Sequence, residues 1–291
     1  MIYAQDKPEG ARVRARRFSR FRLAVFRGVE QLCRALGGRH WYRLRFLARG
    51  RFLMRHEELE VQGLPAALDG FTLAQLSDLH AGPFMRRGDL SAVVEAVNAR
   101  DVDLIAMTGD FVTHEWSEAL FVLDDLAKLR SRHGSFAVFG NHDYKHRQEH
   151  RIEAAYRAQG IRFLRNAHAV IRVGDAQLAV TGLEDLEEGK HVDIDAARRG
   201  IHDMLEICLC HNPAGAPALA RNGCRVILSG HTHGGQVDLP WLRTLGPKHP
   251  GLRIELGATT LLVSRGLGVV GLPLRFGAPP EVLLVTLRRP A

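Results

Sequence analysis

The chain has 291 residues, of which 46% are hydrophobic and 25% are charged, and its net charge is +8. These fractions are typical of an ordinary globular protein and exclude a disordered, collagen-like or coiled-coil chain. No apolar run approaches the roughly 18 residues that indicate a transmembrane helix. Four scattered cysteines favour a reducing compartment over a disulfide scaffold.

The positive charge is concentrated in the N-terminal part of the chain. Residues 1–56 hold fifteen of the 40 basic residues and three of the 32 acidic residues, which gives this part +12 and leaves the remainder at −4. The sequence therefore predicts a basic extension over residues 1–56 and a mildly acidic body over residues 57–291.

Arginine recurs every one to five residues from Arg12 to Arg27. The apolar residues among and after these arginines are three or four positions apart, which predicts one stripe on an amphipathic helix. Its stripe consists of Phe18, Phe21, Val25, Val29, Leu32 and Leu36, and Gly37-Gly38 interrupts it before a second arginine-rich segment. Basic amphipathic helices lie in membrane interfaces, so we predict membrane binding here. The side chains expected at the membrane are Arg16, Arg17, Phe18, Phe21, Arg22, Val25, Trp41 and Phe46.

Three other interpretations of the extension stay open. Its apolar stripe could pack on the body, or its arginines could contact nucleic-acid phosphates. The segment could also be a targeting peptide, because Arg16-Arg17-Phe18 is similar to a twin-arginine signal. Arg22 and Arg27, however, interrupt the apolar region that such a signal requires.

The body alternates between strand and helix patterns. Strands are predicted over residues 71–77, 102–107 and 135–139, and helices follow them over 88–100, 115–130 and 147–159. Further strands are predicted over 161–164, 169–173, 177–181, 207–210, 225–228, 253–256, 260–263 and 282–287, with helices over 192–199 and 213–221. A βαβαβ beginning followed by a strand-rich end predicts a layered α/β fold.

Five polar clusters each follow a predicted strand. They are Asp78-Leu79-His80, Gly109-Asp110, Gly140-Asn141-His142-Asp143, His211-Asn212-Pro213 and Gly230-His231-Thr232-His233-Gly234-Gly235. Because the carboxyl ends of parallel strands form one rim of a sheet, we expect these clusters to converge. The candidate ligands at that rim are Asp78, His80, Asp110, Asn141, His211, His231 and His233.

Seven nitrogen and oxygen ligands exceed what one four- to six-coordinate ion uses, so the pattern indicates two divalent ions that share a bridging carboxylate. Imidazoles and carboxylates without thiolates favour Mn, Fe or Zn, of which we expect Mn first. Two such ions outweigh the charge of two carboxylates, so the pocket would attract a phosphate anion.

These clusters resemble the calcineurin-like metallophosphoesterase superfamily over residues 59–289. Gly-His-Thr-His-Gly-Gly-Gln at 230–236, His211-Asn212-Pro213 and Ser264-Arg265-Gly266-Leu267-Gly268 are similar to its YaeI/YkuE-like phosphodiesterase branch, which is related to the chlamydial type of UDP-2,3-diacylglucosamine pyrophosphatase. The resemblance implies a four-layer α/β/β/α sandwich of two mixed sheets, preceded here by the basic helical extension.

The resemblance also implies individual roles. Asp78, His80 and His233 would hold one metal ion, Asn141, His211 and His231 would hold the other, and Asp110 would bridge them. His142 would act as a general acid or as a donor to the phosphate, and Asp143 would orient His142 or cap the following helix. Asn141, Lys145 and Arg147 are candidate substrate contacts.

The chain departs from the protein phosphatases of this superfamily, which carry Gly-Asp-x-Val-Asp-Arg-Gly and Gly-Asn-His-Glu. Here the first motif continues as Thr113-His114-Glu115 and the second ends in Asp143. The arginine that would help to hold a phosphomonoester is missing, which favours a phosphodiester or pyrophosphate substrate.

The sequence thus predicts a dinuclear hydrolase at the cytoplasmic face of the plasma membrane. A nucleotide-linked glycolipid such as UDP-2,3-diacylglucosamine, an intermediate of lipid A synthesis, would suit both the metals and the basic extension. Two alternatives are a general phosphodiesterase or nuclease whose basic arm binds nucleic acid, and a non-catalytic, metal-stabilised membrane-binding module.

Overall fold

The computed structural model describes residues 20–201, 204–237 and 251–290. Two mixed six-stranded sheets pack face to face, and helices cover their outer surfaces. The buried residues between the sheets form one apolar cluster that includes Leu73, Phe136, Val180 and Leu228. The four-layer α/β/β/α sandwich that the sequence predicts is therefore confirmed.

The first sheet has a parallel centre and an antiparallel junction near one edge. Its strand order is β1 (Leu53–Glu60), β12 (Glu281–Arg288), β2 (Thr72–Leu76), β3 (Leu104–Thr108), β4 (Ser135–Val138) and β5 (Ile161–Phe163). Strands β2 to β5 run parallel, while β12 runs antiparallel to β2 and parallel to β1.

The second sheet has the same kind of parallel centre. Its order is β10 (Arg253–Leu256), β11 (Thr259–Val263), β9 (Val226–Ser229), β8 (Leu205–Leu209), β7 (Ala176–Gly182) and β6 (Ala167–Val173). The four central strands are parallel and the two outer strands are antiparallel to their neighbours. Both sheets therefore present several strand carboxyl ends at one rim.

The helices are shorter than the sequence patterns predict. They are α1 (Arg20–Ala35), α2 (Gly38–Tyr42), α3 (Ser91–Asn98), α4 (Leu120–Leu126), α5 (Glu149–Arg157), α6 (Ile194–Ala197) and α7 (Ala216–Arg221). The helix predicted over 115–130 begins instead with a 3₁₀ turn at Trp116–Ala119 and ends at Leu126.

Two expectations about the basic extension need correction. Residues 53–56 are not helical, because β1 pairs in parallel with β12 along its whole length, so the predicted boundary at residue 56 falls inside a strand. An edge strand tolerates this charged sequence, since Arg55 pairs with Glu57 and Glu281. Phe46, expected at the membrane, is only 5% exposed and packs in the core of the first sheet with Tyr42.

Of the other side chains expected at the membrane, Val25 and Trp41 are exposed. Arg16, Arg17 and Phe18 lie outside the described residues, and α1 includes Phe21 and Arg22 in its backbone. Within the described residues, no helix has both the length and the apolar character needed to cross a bilayer.

Candidate metal centre

The seven candidate ligands lie together at the rim where β2, β3, β4, β8 and β9 end. Five of them have left-handed backbone conformations, with φ of 50° at Asp78, 45° at His80, 55° at Asp110, 68° at His231 and 52° at His233. Such conformations cost about 1–3 kcal/mol each in non-glycine residues and persist where the surrounding structure holds them. Their concentration here indicates a site whose geometry is fixed in advance.

The first group of ligands combines Asp78, His80 and His233. The Nε2 atoms of His80 and His233 are 3.0 Å apart, and Asp78 Oδ1 lies 3.6 Å from His233 Nε2. Burial lowers the pKa of both imidazoles well below the ordinary histidine value, so both rings are neutral at neutral pH. Two neutral ring nitrogens and a buried carboxylate aimed at one point fit a divalent cation.

The second group combines Asn141, His211 and His231. His231 Nδ1 lies 3.1 Å from Asn141 Oδ1 and 3.3 Å from His211 Nε2. His211 Nδ1 lies 2.7 Å from the Thr108 carbonyl, which assigns the proton to Nδ1 and aims Nε2 into the site. This group also offers nitrogen and oxygen atoms to one point.

Asp110 lies between the two groups. Its Oδ2 is 3.4 Å from His80 Nε2 and 3.5 Å from His211 Nε2, while its Oδ1 accepts a hydrogen bond from the His142 backbone N–H. Burial alone would raise the pKa of Asp110, but His211 and His142 lower it well below the ordinary value. The carboxylate is therefore ionised where it can contact both metal positions.

Burial alone would lower the pKa of His211, but the Asp110 carboxylate raises it well above the ordinary value. A cation bound at Nε2 must therefore displace a proton from this ring. Metal binding is expected to release protons and to weaken as the pH falls.

Asp143 holds the turns that carry the ligands. Its carboxylate accepts hydrogen bonds from the backbone N–H groups of Gly140, Asp110, Phe111 and Val112, at 2.8–3.2 Å. From the resemblance, Asp143 is expected to orient His142 or to cap the following helix. Its carboxylate instead ties the turn after β3 to the turn after β4, which positions Asp110 beside Asn141.

Glycines allow these turns to approach one another. A Cβ atom at Gly140 would lie 2.3 Å from Asp110 Oδ1, and one at Gly230 would lie 2.0 Å from Ser77 Oγ. The segment from Ser264 to Gly268 holds the turn after β2, because the N–H groups of Leu267 and Gly268 donate to the Ser77 and Asp78 carbonyls. Gly140 therefore lets the turns around Asp110 pack closely, and Gly230 and residues 264–268 do the same around Asp78.

His142 and Lys145 lie at the site, whereas Arg147 is held away from it. Lys145 Nζ is 2.7 Å from His142 Nδ1 and also donates to the Thr113 carbonyl. The same Nδ1 lies 3.1 Å from the Thr113 carbonyl, so Lys145 and Thr113 together hold the His142 ring through this nitrogen. Arg147 instead donates to the backbone and side chain of Glu188.

Burial lowers the pKa of His142 to about 4, although the Asp110 carboxylate opposes this effect. Burial likewise lowers the pKa of Lys145. At neutral pH His142 is therefore a neutral imidazole, which carries one N–H donor and one acceptor nitrogen.

Two residues around the site were missed by the sequence analysis. Glu187 Oε1 lies 3.3 Å from His231 Nε2 and accepts a hydrogen bond from Asn212 Nδ2, so it fixes the ring whose Nδ1 faces the site. Buried Arg275 donates to the carbonyls of Gly268, Arg265 and Ala278, and its Nη2 lies 3.3 Å from His233 Nδ1. Neither residue belongs to a motif that the sequence makes visible.

We expect Glu187→Gln to weaken metal binding about 10- to 100-fold, because outer-sphere partners of metal-bound histidines contribute effects of that size. Metal titration followed by calorimetry measures this change. Glu188→Gln is the matched control, since Glu188 pairs only with the exposed Arg147 in the described structure. Equal metal affinity in both variants would show that Glu187 does not position His231.

The fold and the rim of aspartates, histidines and asparagine define a metal-dependent phosphoesterase. The family model of calcineurin-like phosphoesterases matches residues 71–235, and the chain belongs to this family. The family uses a dinuclear divalent metal site, and three His/Asp clusters of this chain, two of which contain Asp110, suit that arrangement. The protein is thus a metallophosphoesterase.

Curated relatives support this assignment. The chain is 32% identical over 236 residues to the uncharacterized metallophosphoesterase YkuE of Bacillus subtilis, covering 77% of this chain and 82% of that protein. It is 32% identical over 247 residues to a transmembrane protein with metallophosphoesterase domain from Danio rerio, covering 80% of this chain but only 56% of that protein. The sulfate thiohydrolase SoxB of Thermus thermophilus superimposes with a TM-score of 0.48 at 17% identity, over 77% of this chain and 57% of SoxB.

Proposed function

We propose that this metallophosphoesterase uses two divalent metal ions to cleave a phosphodiester or pyrophosphate bond. Mn is the first candidate for both ions. Asp78, His80 and His233 would hold one ion, and Asn141, His211 and His231 would hold the other. The observation that carries the proposal is the Asp110 carboxylate, whose Oδ2 lies within 3.5 Å of a histidine from each group. When bound, such ions polarise the phosphoryl oxygens and lower the pKa of a water between them.

The protein side chains around the metals bind and orient the phosphate. The His142 ring lies beside the His80 ring, where it can donate a hydrogen bond to a phosphoryl or leaving-group oxygen. Lys145 fixes the ring of His142 through Nδ1. Asn141 contributes its amide between the metal ligands His211 and His231 and can also contact the substrate.

The loop after Asp110 supports a diester or pyrophosphate substrate. The backbone N–H groups of Thr113, His114 and Glu115 all donate to Glu118, and the His114 ring lies 2.7 Å from Glu30 Oε1. These N–H groups and the His114 ring are therefore already hydrogen-bonded to other residues of the protein. They lie at the place where the protein phosphatases carry an arginine. A terminal phosphate with an extra negative charge would find less compensation here.

We further propose that the substrate is a nucleotide-linked lipid, with UDP-2,3-diacylglucosamine of lipid A synthesis as the first candidate. The enzyme would act as a peripheral protein at the cytoplasmic face of the plasma membrane. The basic, apolar residues 20–47 support this proposal, and a relative in Danio rerio is itself named a transmembrane protein.

Turnover of the purified full-length protein with Mn²⁺ tests the substrate, using UDP-2,3-diacylglucosamine beside bis-p-nitrophenyl phosphate. Strong UMP release with weak diester cleavage would support the lipid substrate. Diester cleavage without UMP release would leave a phosphodiesterase for another substrate. Nuclease activity together with salt-sensitive DNA binding would instead favour the alternative of a nuclease with a basic arm.

Lys145 and Arg147 are expected to differ in their contribution to turnover. Lys145→Met should lower kcat about tenfold, because His142 loses the contact that fixes its ring and its donor is worth about 10²–10⁴-fold in total. Arg147→Met should leave kcat within about twofold, since this side chain pairs with Glu188 at the surface and such pairs contribute little. Steady-state kinetics with bis-p-nitrophenyl phosphate measure kcat of both variants. Equal losses of kcat would contradict the assignment of Lys145 to the site and of Arg147 to the surface.

A further inference from the structure

The large hydrophobic side chains exposed in the described part of the chain are concentrated in two segments. Nine of the twelve large hydrophobic side chains that are exposed in the described part of the chain lie within residues 25–44 and 272–276. Scattered exposed hydrophobic residues are normal, but a contiguous group of this size marks an interaction surface.

Helix α1 directs its apolar stripe away from the protein. Val25, Val29, Leu32 and Leu36 share one helical face, and they are 50%, 42%, 59% and 78% exposed. The neighbouring face contacts the body instead, where Glu30 is 2% exposed and Cys33 packs against the core. If this amphipathic helix served only to pack on the body, its apolar stripe would be buried. The exposed stripe is therefore available to contact an apolar surface outside the protein.

The loop over residues 270–276 continues this surface. Pro273 Cγ lies 3.0 Å from the position that a Cβ of Gly38 would take, so the loop lies against the start of α2. Leu272, Leu274 and Phe276 are 39%, 41% and 56% exposed on this loop. We call the α1 stripe, Trp41, Leu44 and these three side chains the docking face.

The charge around the docking face identifies its partner. Residues 20–56 contain ten arginines, of which Arg39, Arg43, Arg49 and Arg55 pair with carboxylates outside this segment. The single carboxylate of the segment, Glu30, is buried against the His114 ring. Arg27 and Arg34 are exposed on α1 itself. Apolar side chains flanked by arginines suit a bilayer with anionic head groups, whereas two copies of the chain would bring like charges together. We propose that the docking face binds an anionic lipid surface.

The docking face is connected to the metal centre on two sides. Gln236, three residues after His233, exchanges hydrogen bonds with the backbone of Val270 and accepts one from Phe276. Glu30 of α1 holds His114, next to the Thr113 carbonyl that contacts Lys145 and His142. Both contacts link the docking face to segments that carry residues of the metal centre. That a lipid-linked phosphoester passes from the bilayer to the metals rests on the proposed function.

Vesicle co-sedimentation of the full-length, Mn-loaded protein tests the proposal. The vesicles are phosphatidylcholine alone and phosphatidylcholine mixed with phosphatidylglycerol. We expect binding to the anionic vesicles, and we expect Leu32→Ser/Leu36→Ser and Leu272→Ser/Phe276→Ser each to weaken it about tenfold or more. The control is Leu120→Ser/Val170→Ser, which removes two exposed hydrophobic side chains elsewhere on the body and should bind as the unchanged protein does.

Two results would overturn the proposal. One is equal vesicle binding by the docking-face variants and the control. The other is a protein that ignores vesicles but forms a dimer, measured by analytical ultracentrifugation, that the docking-face variants dissociate. Turnover of bis-p-nitrophenyl phosphate by the unchanged protein separates the two hypotheses. If the unchanged protein hydrolyses this substrate but does not bind the anionic vesicles, only the docking face is refuted. If it binds the vesicles but does not hydrolyse the substrate, only the hydrolase is refuted.

Discussion

Asp110→Ala is expected to lower turnover by at least about 10³-fold, because the proposed mechanism uses this carboxylate at both metal positions. Its removal would cost several kcal/mol of charge stabilisation in the transition state. The position of its Oδ2 between His80 and His211 gives the physical reason. Steady-state hydrolysis of bis-p-nitrophenyl phosphate with saturating Mn²⁺ measures the loss. Metal content measured on the same sample should fall below that of the unchanged protein.

The matched control is Asp124→Ala. Asp124 is an exposed carboxylate of α4 that pairs with Arg87 on the surface, so its removal should change neither turnover nor metal content measurably. Full activity of Asp110→Ala at saturating metal would exclude a mechanism in which Asp110 bridges two ions. Equal losses in both variants would indicate general damage to the fold.

Gly140→Ala is expected to lower turnover about 10²-fold or more without removing any ligand. The new Cβ would lie 2.3 Å from Asp110 Oδ1, 2.6 Å from the Asp110 backbone nitrogen and 2.7 Å from His211 Cε1. The turn must therefore shift, and displacements of about 1 Å at a reacting centre cost on the order of 10²-fold. Turnover and metal content should fall together.

Gly28→Ala provides the control for this substitution. Gly28 lies within α1, and nothing lies within 4 Å of the position its Cβ would take. Alanine there should leave turnover unchanged and stabilise the helix by about 0.5–1 kcal/mol. Normal activity of Gly140→Ala would mean that the close packing of the turns after β3 and β4 is not needed for the metal centre.

The sequence predicts that the candidate ligands lie together, because each of them follows a strand. A strand pattern such as 102–107 is recognisable from its apolar run, and parallel strands bring their ends to one rim. The polar residues after each run, including Asp110 and Asn141, could therefore be placed together before any coordinates. Their roles at the metals stay proposals that the variants above test.

Residues that act from other parts of the chain could not be placed in this way. Glu187 belongs to an acidic stretch that is typical of a solvated loop, and Arg275 follows a segment without helix or strand periodicity. Both reach the site through loops whose path depends on tertiary packing. No short-range pattern records that Glu187 lies beside His231 or that Arg275 lies beside His233.

The beginning of β1 could not be predicted from the sequence for a different reason. Leu53 and Met54 follow a helical, arginine-rich segment, and short apolar runs do not distinguish a helix from a strand. The parallel partner β12 lies more than 200 residues away, so the pairing that decides the structure is invisible locally. Phe46 likewise belongs to an amphipathic pattern. The pattern does not show which of its sides faces the core, and only the packing of Phe46 with Tyr42 reveals it.

Titration of the metal-free protein with Mn²⁺, following bound metal and diester turnover together, tests the central claim most directly. The dinuclear site predicts two ions bound per chain, and turnover that rises with occupancy of the second ion. Full turnover in the presence of a strong chelator, or saturation of activity at one ion per chain, would contradict it.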